Sequence, residues 1–311
     1  MAAVFTTVGA SPLLEPNDGV TPRGGWRRLA LGFVTAAVAV TCVGFASFGH
    51  SGVGSAMAPA MAGVATVAAK SAEAARVRVE VYGMAGCPFT RGFLEGPVTE
   101  TLATVPELVD FHLHAFGNSY HATEKCGGTA EGMPFASYFK GYNQSARQCW
   151  DSLCGAAAAE PADDCFSGPL ICQHGATDGM MTTAWACAKS LAGESVPRYM
   201  PFVRCTAQRF LGVTSEATFR DTVGSCVEVA ALSAQELLAC ATGPQGLRLL
   251  HEEARKTVPH PAVPYVLVDG QVLDDTSCVA CGDGIMQKVC EAWRAKGGQD
   301  HPACKGIFGL I

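Results

Sequence analysis

The segment MAGCPFTRGF, residues 84–93, places a cysteine where an extended apolar stretch changes to a helical pattern. Unpaired backbone N–H groups and the helix dipole at such a junction favour an anion, and the thiolate is the form of Cys87 that attacks disulfides. Pro88 suits the first helical position because it has no N–H group to leave unpaired. Thr90, one turn later, can donate a hydrogen bond to the thiolate, but it lacks the second sulfur that would release a mixed disulfide. The segment predicts a single-thiol site with catalytic residues Cys87 and Thr90, although a structural cysteine beside a proline is also compatible with it.

Cysteine usage indicates the compartment in which the protein folds. The chain has 311 residues and 15 cysteines, and all but Cys42 lie at position 87 or later, which favours an oxidising compartment for the downstream region. Apart from Cys42 and Cys87, 13 cysteines remain, so either Cys87 is paired or one other thiol is free. Cys278-Val-Ala-Cys281 is compatible with a second redox pair, but structural disulfides are favoured. The predicted structural disulfide cysteines are Cys172, Cys187, Cys205, Cys226, Cys240, Cys278, Cys281 and Cys290.

A zinc site is an alternative for the last part of the chain. The cysteines and the histidine of this segment are spaced within the range known for zinc ligands; they are Cys278, Cys281, Cys290, His301 and Cys304. An oxidising compartment argues against free thiolate ligands, so we expect disulfides, no metal and no cofactor.

The elements that position Cys87 follow from hydrophobic periodicity. Residues 77–84 alternate and are rich in valine, which predicts a strand, and residues 108–116 predict a second one. Between them the apolar residues follow helical spacing, and Gly96-Pro97 predicts a kink or two short helices. Residues 263–273 predict a strand, an Asp-Gly turn and another strand, before a closing helix.

Two longer segments separate these elements. Residues 119–168 fit no regular period and carry four cysteines, which predicts an irregular insertion with local disulfides. Residues 172–258 are predicted to form a helical insertion, in which Ser233 caps a helix that stops at Gly243-Pro244. The order is therefore β-α-β, helices, and β-β-α, which is the layout of an α/β thioredoxin-like domain over residues 76–311.

In a thioredoxin-like fold, a cis-proline loop faces the reactive cysteine and its backbone pairs with an extended substrate. Val263-Pro264 opens the third predicted strand and fits this position, although an ordinary strand also tolerates proline at its start. We therefore predict that Pro88, Val263 and Pro264 bind substrate.

The N-terminal region predicts how the domain reaches its compartment. Residues 29–48 form an uncharged run long enough to span a bilayer, and three arginines precede it. The positive-inside rule then places a disordered tail, residues 1–28, in the cytosol, with a stalk at 49–75 and the folded domain in the lumen. This predicts a type II signal anchor with an N-terminal transmembrane helix. Cleavage near SAMA, residues 55–58, is the alternative and would leave a soluble lumenal or secreted protein.

Composition limits the partners. A net charge of −6 and a pI near 5.7 argue against a nucleic-acid surface, and 49% hydrophobic residues supply ample material for a core.

Asn143-Gln-Ser145 is the only N-glycosylation sequon in the sequence and predicts a glycan on a surface loop of the insertion.

The stretch CQHGATDGMMTTAWAC, residues 172–187, resembles the signature of the gamma-interferon-inducible lysosomal thiol reductase family. Asp178 replaces the usual Glu, Gly179 stands where the family has Cys, and Thr182 stands where it has Asn. Segments 84–93 and 263–270 also resemble the family's active-site and proline-strand segments, with Thr90 in place of the second cysteine. The matching signature residues are Cys172, Gln173, His174, Gly175 and Cys187.

The resemblance implies a thioredoxin-like fold and reduction of disulfide-bonded proteins in endosomes and lysosomes, with a small-molecule thiol as reductant. Some members carry Cys-x-x-Ser, the nearest parallel to Cys87 and Thr90. Gln173 and His174 are expected to be structural. Gly179 would leave the partner of the missing family cysteine unpaired, which is one candidate for the extra thiol, and the Cys278-Cys281 pair is another. We predict a thiol-disulfide oxidoreductase in an endolysosomal or secretory lumen. The alternative is a catalytically impaired, membrane-tethered binding protein of the same fold, cross-linked by disulfides.

Overall fold

The computed structural model describes residues 76–128, 135, 139–158, 163–273 and 282–308. The predicted tail, anchor and stalk, as well as Cys278 and Cys281, lie outside these residues and stay predictions. Within the described ranges, no helix is both long and apolar enough to cross a membrane.

A four-stranded mixed sheet lies at the centre of the domain. The strands in chain order are β1 (Val77–Gly83), β2 (Val109–Ala115), β3 (Tyr120–His121), β4 (Leu170–Ile171), β5 (Tyr265–Val268) and β6 (Gln271–Val272). The main sheet has the order β2-β1-β5-β6, with β1 parallel to β2 and antiparallel to β5, while β3 and β4 pair separately. Val77, Val79 and Val81 are fully buried, because the alternation of β1 directs them to the same face.

Three consecutive helical segments connect β1 to β2. They are α1 (Pro88–Phe93), a π-helical segment (Leu94–Val98) and α2 (Thr99–Thr104). Pro97 lies inside the π-helical segment, so the predicted interruption is a local change of helix type. The Thr99 hydroxyl donates to the carbonyl of Leu94 at 2.7 Å, which satisfies a carbonyl group near the proline.

Eight further α-helices lie in the described residues. They are α3 (Gln144–Cys154), α4 (Ala176–Leu191), α5 (Val196–Arg209), α6 (Glu216–Val227), α7 (Ala234–Ala241), α8 (Pro244–Lys256), α9 (Gly282–Ala295) and α10 (Pro302–Phe308). The Ser233 hydroxyl accepts from the Glu236 amide and caps α7, which ends before Gly243. This mixed α/β arrangement, with its β-α-β and β-β-α parts, is consistent with a thioredoxin-like fold.

The segment 119–168 is more regular than predicted, because it contains α3. The Asn143 side chain caps this helix by accepting from the Ala146 amide at 3.0 Å, and residues Ala146, Trp150 and Cys154 are buried at helical spacing. Such a short face with one large apolar side chain gives a weak sequence signal. Asn143 itself is exposed, and its glycosylation stays a prediction.

Five disulfides cross-link the described residues: Cys126–Cys149, Cys154–Cys165, Cys187–Cys240, Cys205–Cys226 and Cys290–Cys304. The first two are local to the insertion, and the others join α4 to α7, α5 to α6, and α9 to α10. The bond between Cys290 and Cys304 removes both as zinc ligands, since zinc requires thiolates. The expectation for Cys172 is wrong, because its thiol is free and buried.

Candidate active site

Cys87 is the last residue of the loop that follows β1, and it occupies the N-cap position of α1 without a capping bond from its side chain. Its backbone carbonyl accepts from the Arg91 amide at 3.1 Å, which begins the helix directly after the thiol. The Cys87 S–H group donates to the carbonyl oxygen of Val263 at 3.4 Å, and the Val263–Pro264 peptide is cis. The structure thus brings together the reactive-cysteine candidate and the proline loop that the sequence separates by 176 residues.

Thr90 lies one turn into α1 and is fully buried. Its hydroxyl makes no hydrogen bond with the described residues, so the bond to the Cys87 thiolate that the sequence allows is not formed in this structure. The side chain instead packs against Gly83 at the end of β1, where a Cβ atom would lie 2.5 Å from the Thr90 methyl carbon. Thr90 therefore fills space between α1 and the sheet, and it offers Cys87 neither a thiol nor a hydrogen bond.

The loop before Cys87 is anchored by α4. The Ala85 amide donates to the Thr182 hydroxyl at 3.0 Å, and the Gly86 amide donates to Asp178 Oδ1 at 2.7 Å. Thr182 in turn donates to Asp178 Oδ1 at 3.1 Å. Both loop amides are buried, so these side chains satisfy donors that would otherwise be unpaired in the interior.

His174 completes the contact between the signature and the loop. Its Nδ1 lies 3.2 Å from Asp178 Oδ2. A Cβ atom on Gly86 would lie 2.6 Å from His174 Cβ and from Asp178 Cγ, so only glycine allows this approach. The signature therefore packs directly against the residue that precedes Cys87, a placement that the sequence did not predict.

Asp178 and Thr182 are the positioning residues that sequence reasoning missed. Asp178 and Thr182 are spaced four residues apart within α4, and residues so spaced lie on one face of a helix. This pair of polar residues, in a helix that begins directly after the signature His174 and Gly175, was the available signal.

Gln173 and Gly175 have structural positions. Gln173 Oε1 accepts from the Asn118 side-chain amide at 2.9 Å, which joins the signature to residues 116–118. Gly175 precedes α4 with φ = 88°, a backbone conformation that residues with side chains rarely adopt. These two residues fix the turn from which α4 begins.

Cys172 is the second free thiol of the described chain, and it lies in the interior. The Ser119 hydroxyl donates to Cys172 Sγ at 3.5 Å. Burial, together with the negative charge of Asp178, raises the pKa of the Cys172 thiol. A Cβ atom on Gly179 would lie only 2.9 Å from Cys172 Sγ, so the position that lacks a cysteine relative to the signature directly faces this thiol.

A cavity of about 1220 Å³ lies elsewhere, along β2 and the start of α5. Two titratable groups that line it have carboxylate partners: His114 Nε2 lies 3.2 Å from Glu80, and Lys189 Nζ lies 2.8 Å from Glu253. Burial lowers the pKa of His114 to about 4. The described lining includes no cysteine, and the described residues contain no cluster of metal-ligating side chains. Cys87 therefore stays the candidate nucleophile.

Comparison with known proteins gives the following similarities. No family model matches the chain. Over 244 residues the chain is 23% identical to a gamma-interferon-inducible lysosomal thiol reductase of Carassius auratus, which covers 74% of this chain and 73% of that protein. Over 91 residues it is 33% identical to the Mus musculus protein of the same name, covering 27% of this chain and 34% of that protein. The two similarities support a relationship between this chain and the gamma-interferon-inducible lysosomal thiol reductases.

Proposed function

We propose that this protein is a thiol-disulfide oxidoreductase that acts on protein disulfides through one thiol, Cys87. The observation that carries the proposal is the position of Cys87 Sγ, at the start of α1 and 3.4 Å from the carbonyl oxygen of Val263. The names of the Carassius auratus and Mus musculus relatives support the same class of reaction.

The first step is attack on a substrate disulfide. Cys87 loses its proton to solvent, and its thiolate attacks one substrate sulfur. An S–S bond forms between Cys87 and the substrate as the substrate's own S–S bond breaks. The departing sulfur leaves as a thiolate and takes a proton from solvent.

The proline loop and the start of α1 bind the substrate in this proposal. When Cys87 loses its proton, the carbonyl of Val263 no longer accepts the S–H group and becomes available to a substrate N–H donor. Pro264 is partly exposed and Pro88 is exposed, so both offer apolar contact beside the sulfur. An extended substrate segment would then lie along Val263 with its disulfide at Cys87.

Release of the reduced substrate requires thiols from outside the site, because Thr90 has no sulfur. One small-molecule thiolate attacks Cys87 Sγ and displaces the substrate thiolate, which is protonated. A second small-molecule thiol then reduces the resulting mixed disulfide and restores Cys87. In total, one substrate disulfide is reduced to two thiols, and two small-molecule thiols are oxidised to one disulfide.

The location proposed for this reaction is a lysosomal or other lumenal compartment. The names of both relatives and the five disulfides support it. Anchoring through residues 29–48, with the domain in the lumen, belongs to the same proposal.

The test compares the two free thiols. We expect Cys87→Ser to abolish reduction of a disulfide-bonded protein assayed with a small-molecule thiol at pH 5 and pH 7. Cys172→Ser, the matched control, should keep most of the activity because Cys172 is buried away from the loop surface. Retention of activity in Cys87→Ser would show that the site is misassigned.

A non-catalytic binding protein of the same fold is the second candidate. It is favoured by the low exposure of Cys87, which is 4%, and by the absence of a second thiol at Thr90. In that case, wild-type protein would form no mixed disulfide with substrate in the absence of small-molecule thiol. A Cys87-linked mixed disulfide, detected by mass spectrometry, would exclude this candidate.

A further inference from the structure

We propose that Phe89 and Phe139 form an exposed aromatic surface that binds apolar residues next to the target disulfide of a polypeptide substrate. The inference rests on the proposed function, because the occupant is the substrate of Cys87. It adds a substrate class, namely extended, partly unfolded segments with apolar residues near the cystine. It also assigns a role in recognition to the insertion, which supplies Phe139.

Both rings are more exposed than is usual for phenylalanine. Phe89 is 53% exposed and Phe139 is 58% exposed, and no other aromatic side chain whose burial the structure describes is more than half exposed. Single exposed apolar side chains are common and need no explanation. The inference comes from where these two rings lie.

Both rings are joined to the Cys87 loop by short paths. Phe89 is two residues after Cys87, in the first turn of α1. The Phe139 ring lies 6.2 Å from the His174 ring, and His174 packs against Gly86, the residue before Cys87. One side chain therefore separates Phe139 from the Cys87 loop.

The backbone of Phe139 is held in an unusual conformation. Its φ is 58°, in the left-handed region, which is uncommon for a residue with a large side chain and strains the backbone. The Phe139 amide donates to the carbonyl of Gln173 at 2.8 Å, and its carbonyl accepts from Tyr142. The insertion is thus fixed to the signature in a way that leaves an apolar ring in solvent, which favours a role in binding.

The exposed residues next to Cys87 and Val263 in sequence indicate the chemistry of the occupant. Pro88 follows Cys87, and exposed Pro261 and Ala262 precede Val263, the acceptor of the Cys87 S–H group. Apolar side chains of a substrate would lose contact with water against these residues, whereas charged ones would lose hydration. Segments that are buried in folded proteins carry such residues, so partly unfolded substrates fit best.

The first experiment measures exchange with two disulfide-linked peptides. One has phenylalanine and leucine beside the cystine, and the other has serine and glycine at those positions. We expect wild-type protein to prefer the apolar peptide in kcat/KM, and Phe89→Ser and Phe139→Ser each to reduce that preference about fivefold. Val229→Ser is the control, because Val229 is 59% exposed on the 3₁₀ turn after α6.

The second experiment measures binding without chemistry, so that it does not depend on turnover. Fluorescence polarisation would follow a labelled apolar peptide with a non-reducible thioether in place of the disulfide, bound to Cys87→Ser protein. Combining Phe139→Ser with Cys87→Ser in one chain should weaken this binding about fivefold, and combining Val229→Ser with Cys87→Ser should not. If the thioether peptide binds only when Phe139 is present, and wild-type protein catalyses no exchange, the aromatic binding surface is supported and the proposed function is rejected. If wild-type protein catalyses exchange without preferring the apolar peptide, and Phe139→Ser changes nothing, the aromatic binding surface is rejected and the proposed function is left intact.

Discussion

The two free thiols of the described chain have different surroundings although Asp178 is close to both. Cys87 lies at a helix start beside exposed Pro88 and Phe89, with its S–H group on the Val263 carbonyl. Cys172 lies in the interior, where burial and the Asp178 charge disfavour its thiolate. The comparison indicates that location at a helix start beside the surface, more than the presence of a free thiol, makes a cysteine a candidate nucleophile.

Each of the two thiols also has a neighbouring position without sulfur. Thr90 lies one turn after Cys87, and Gly179 faces Cys172. The candidate reactive thiol therefore has no resolving cysteine one turn along the helix, and the interior thiol has no disulfide partner at position 179.

Chemical reactivity should separate the two thiols most strongly. We expect iodoacetamide to label Cys87 about 1000-fold faster than Cys172 in the folded protein at pH 7, because alkylation requires an accessible thiolate and the pKa of Cys172 is raised. Peptide mapping by mass spectrometry at timed intervals measures both rates. In denaturant the rates should become similar, and comparable rates in the folded protein would contradict the distinction.

The anchoring role of Asp178 should give the next largest effect. Asp178→Ala removes the acceptor for the Gly86 amide, so the Cys87 loop should shift and exchange should slow about 100-fold. Asp178→Asn is the matched control, since its side-chain oxygen can still accept from Gly86, and it should slow exchange much less.

Thermal unfolding of both Asp178 variants would show whether they remain folded. Equal rates for folded Asp178→Ala and wild-type protein would reject a positioning role.

A cysteine at position 179 should convert Cys172 from a free thiol into a disulfide partner. The 2.9 Å separation of the Gly179 Cβ position and Cys172 Sγ is close to the value of about 3 Å expected across an S–S bond. We expect oxidised Gly179→Cys to gain about 2 kcal/mol in unfolding free energy, which denaturant titration would measure.

Gly179→Ala adds the same Cβ atom without a bond and should therefore crowd Cys172 and lose stability. If oxidised and reduced Gly179→Cys were equally stable, the geometric argument would be wrong.

Restoring a second thiol beside Cys87 should have the smallest effect. We expect Thr90→Cys to reduce the lifetime of the mixed disulfide about tenfold and to lessen the dependence on external thiol, because a second sulfur one turn along can attack it. Thr90→Ser should leave the lifetime unchanged. Trapping with acid followed by mass spectrometry measures that lifetime, and no change in Thr90→Cys would mean that Thr90 does not limit release.

The local pattern predicted the elements well where hydrophobic periodicity was strong. The strands at 77–84 and 108–116, the Asp-Gly turn and the Ser233 cap all depend on neighbours in sequence, and the structure contains each of them. Helix α3 was missed because its buried face has one large apolar side chain, Trp150, among polar residues.

The sequence by itself determined the candidate nucleophile and the absence of a sulfur at Thr90, since these depend on residue identity and spacing, whereas the free thiol of Cys172 appeared only in the structure. Only the tertiary structure decided that Asp178 and Thr182 hold the Cys87 loop, that Thr90 packs against Gly83, and that Phe139 lies beside His174. These contacts join residues tens of positions apart, with the exception of Thr90 and Gly83. They depend on how α4 and the insertion pack against the loop after β1, which periodicity along the chain does not encode.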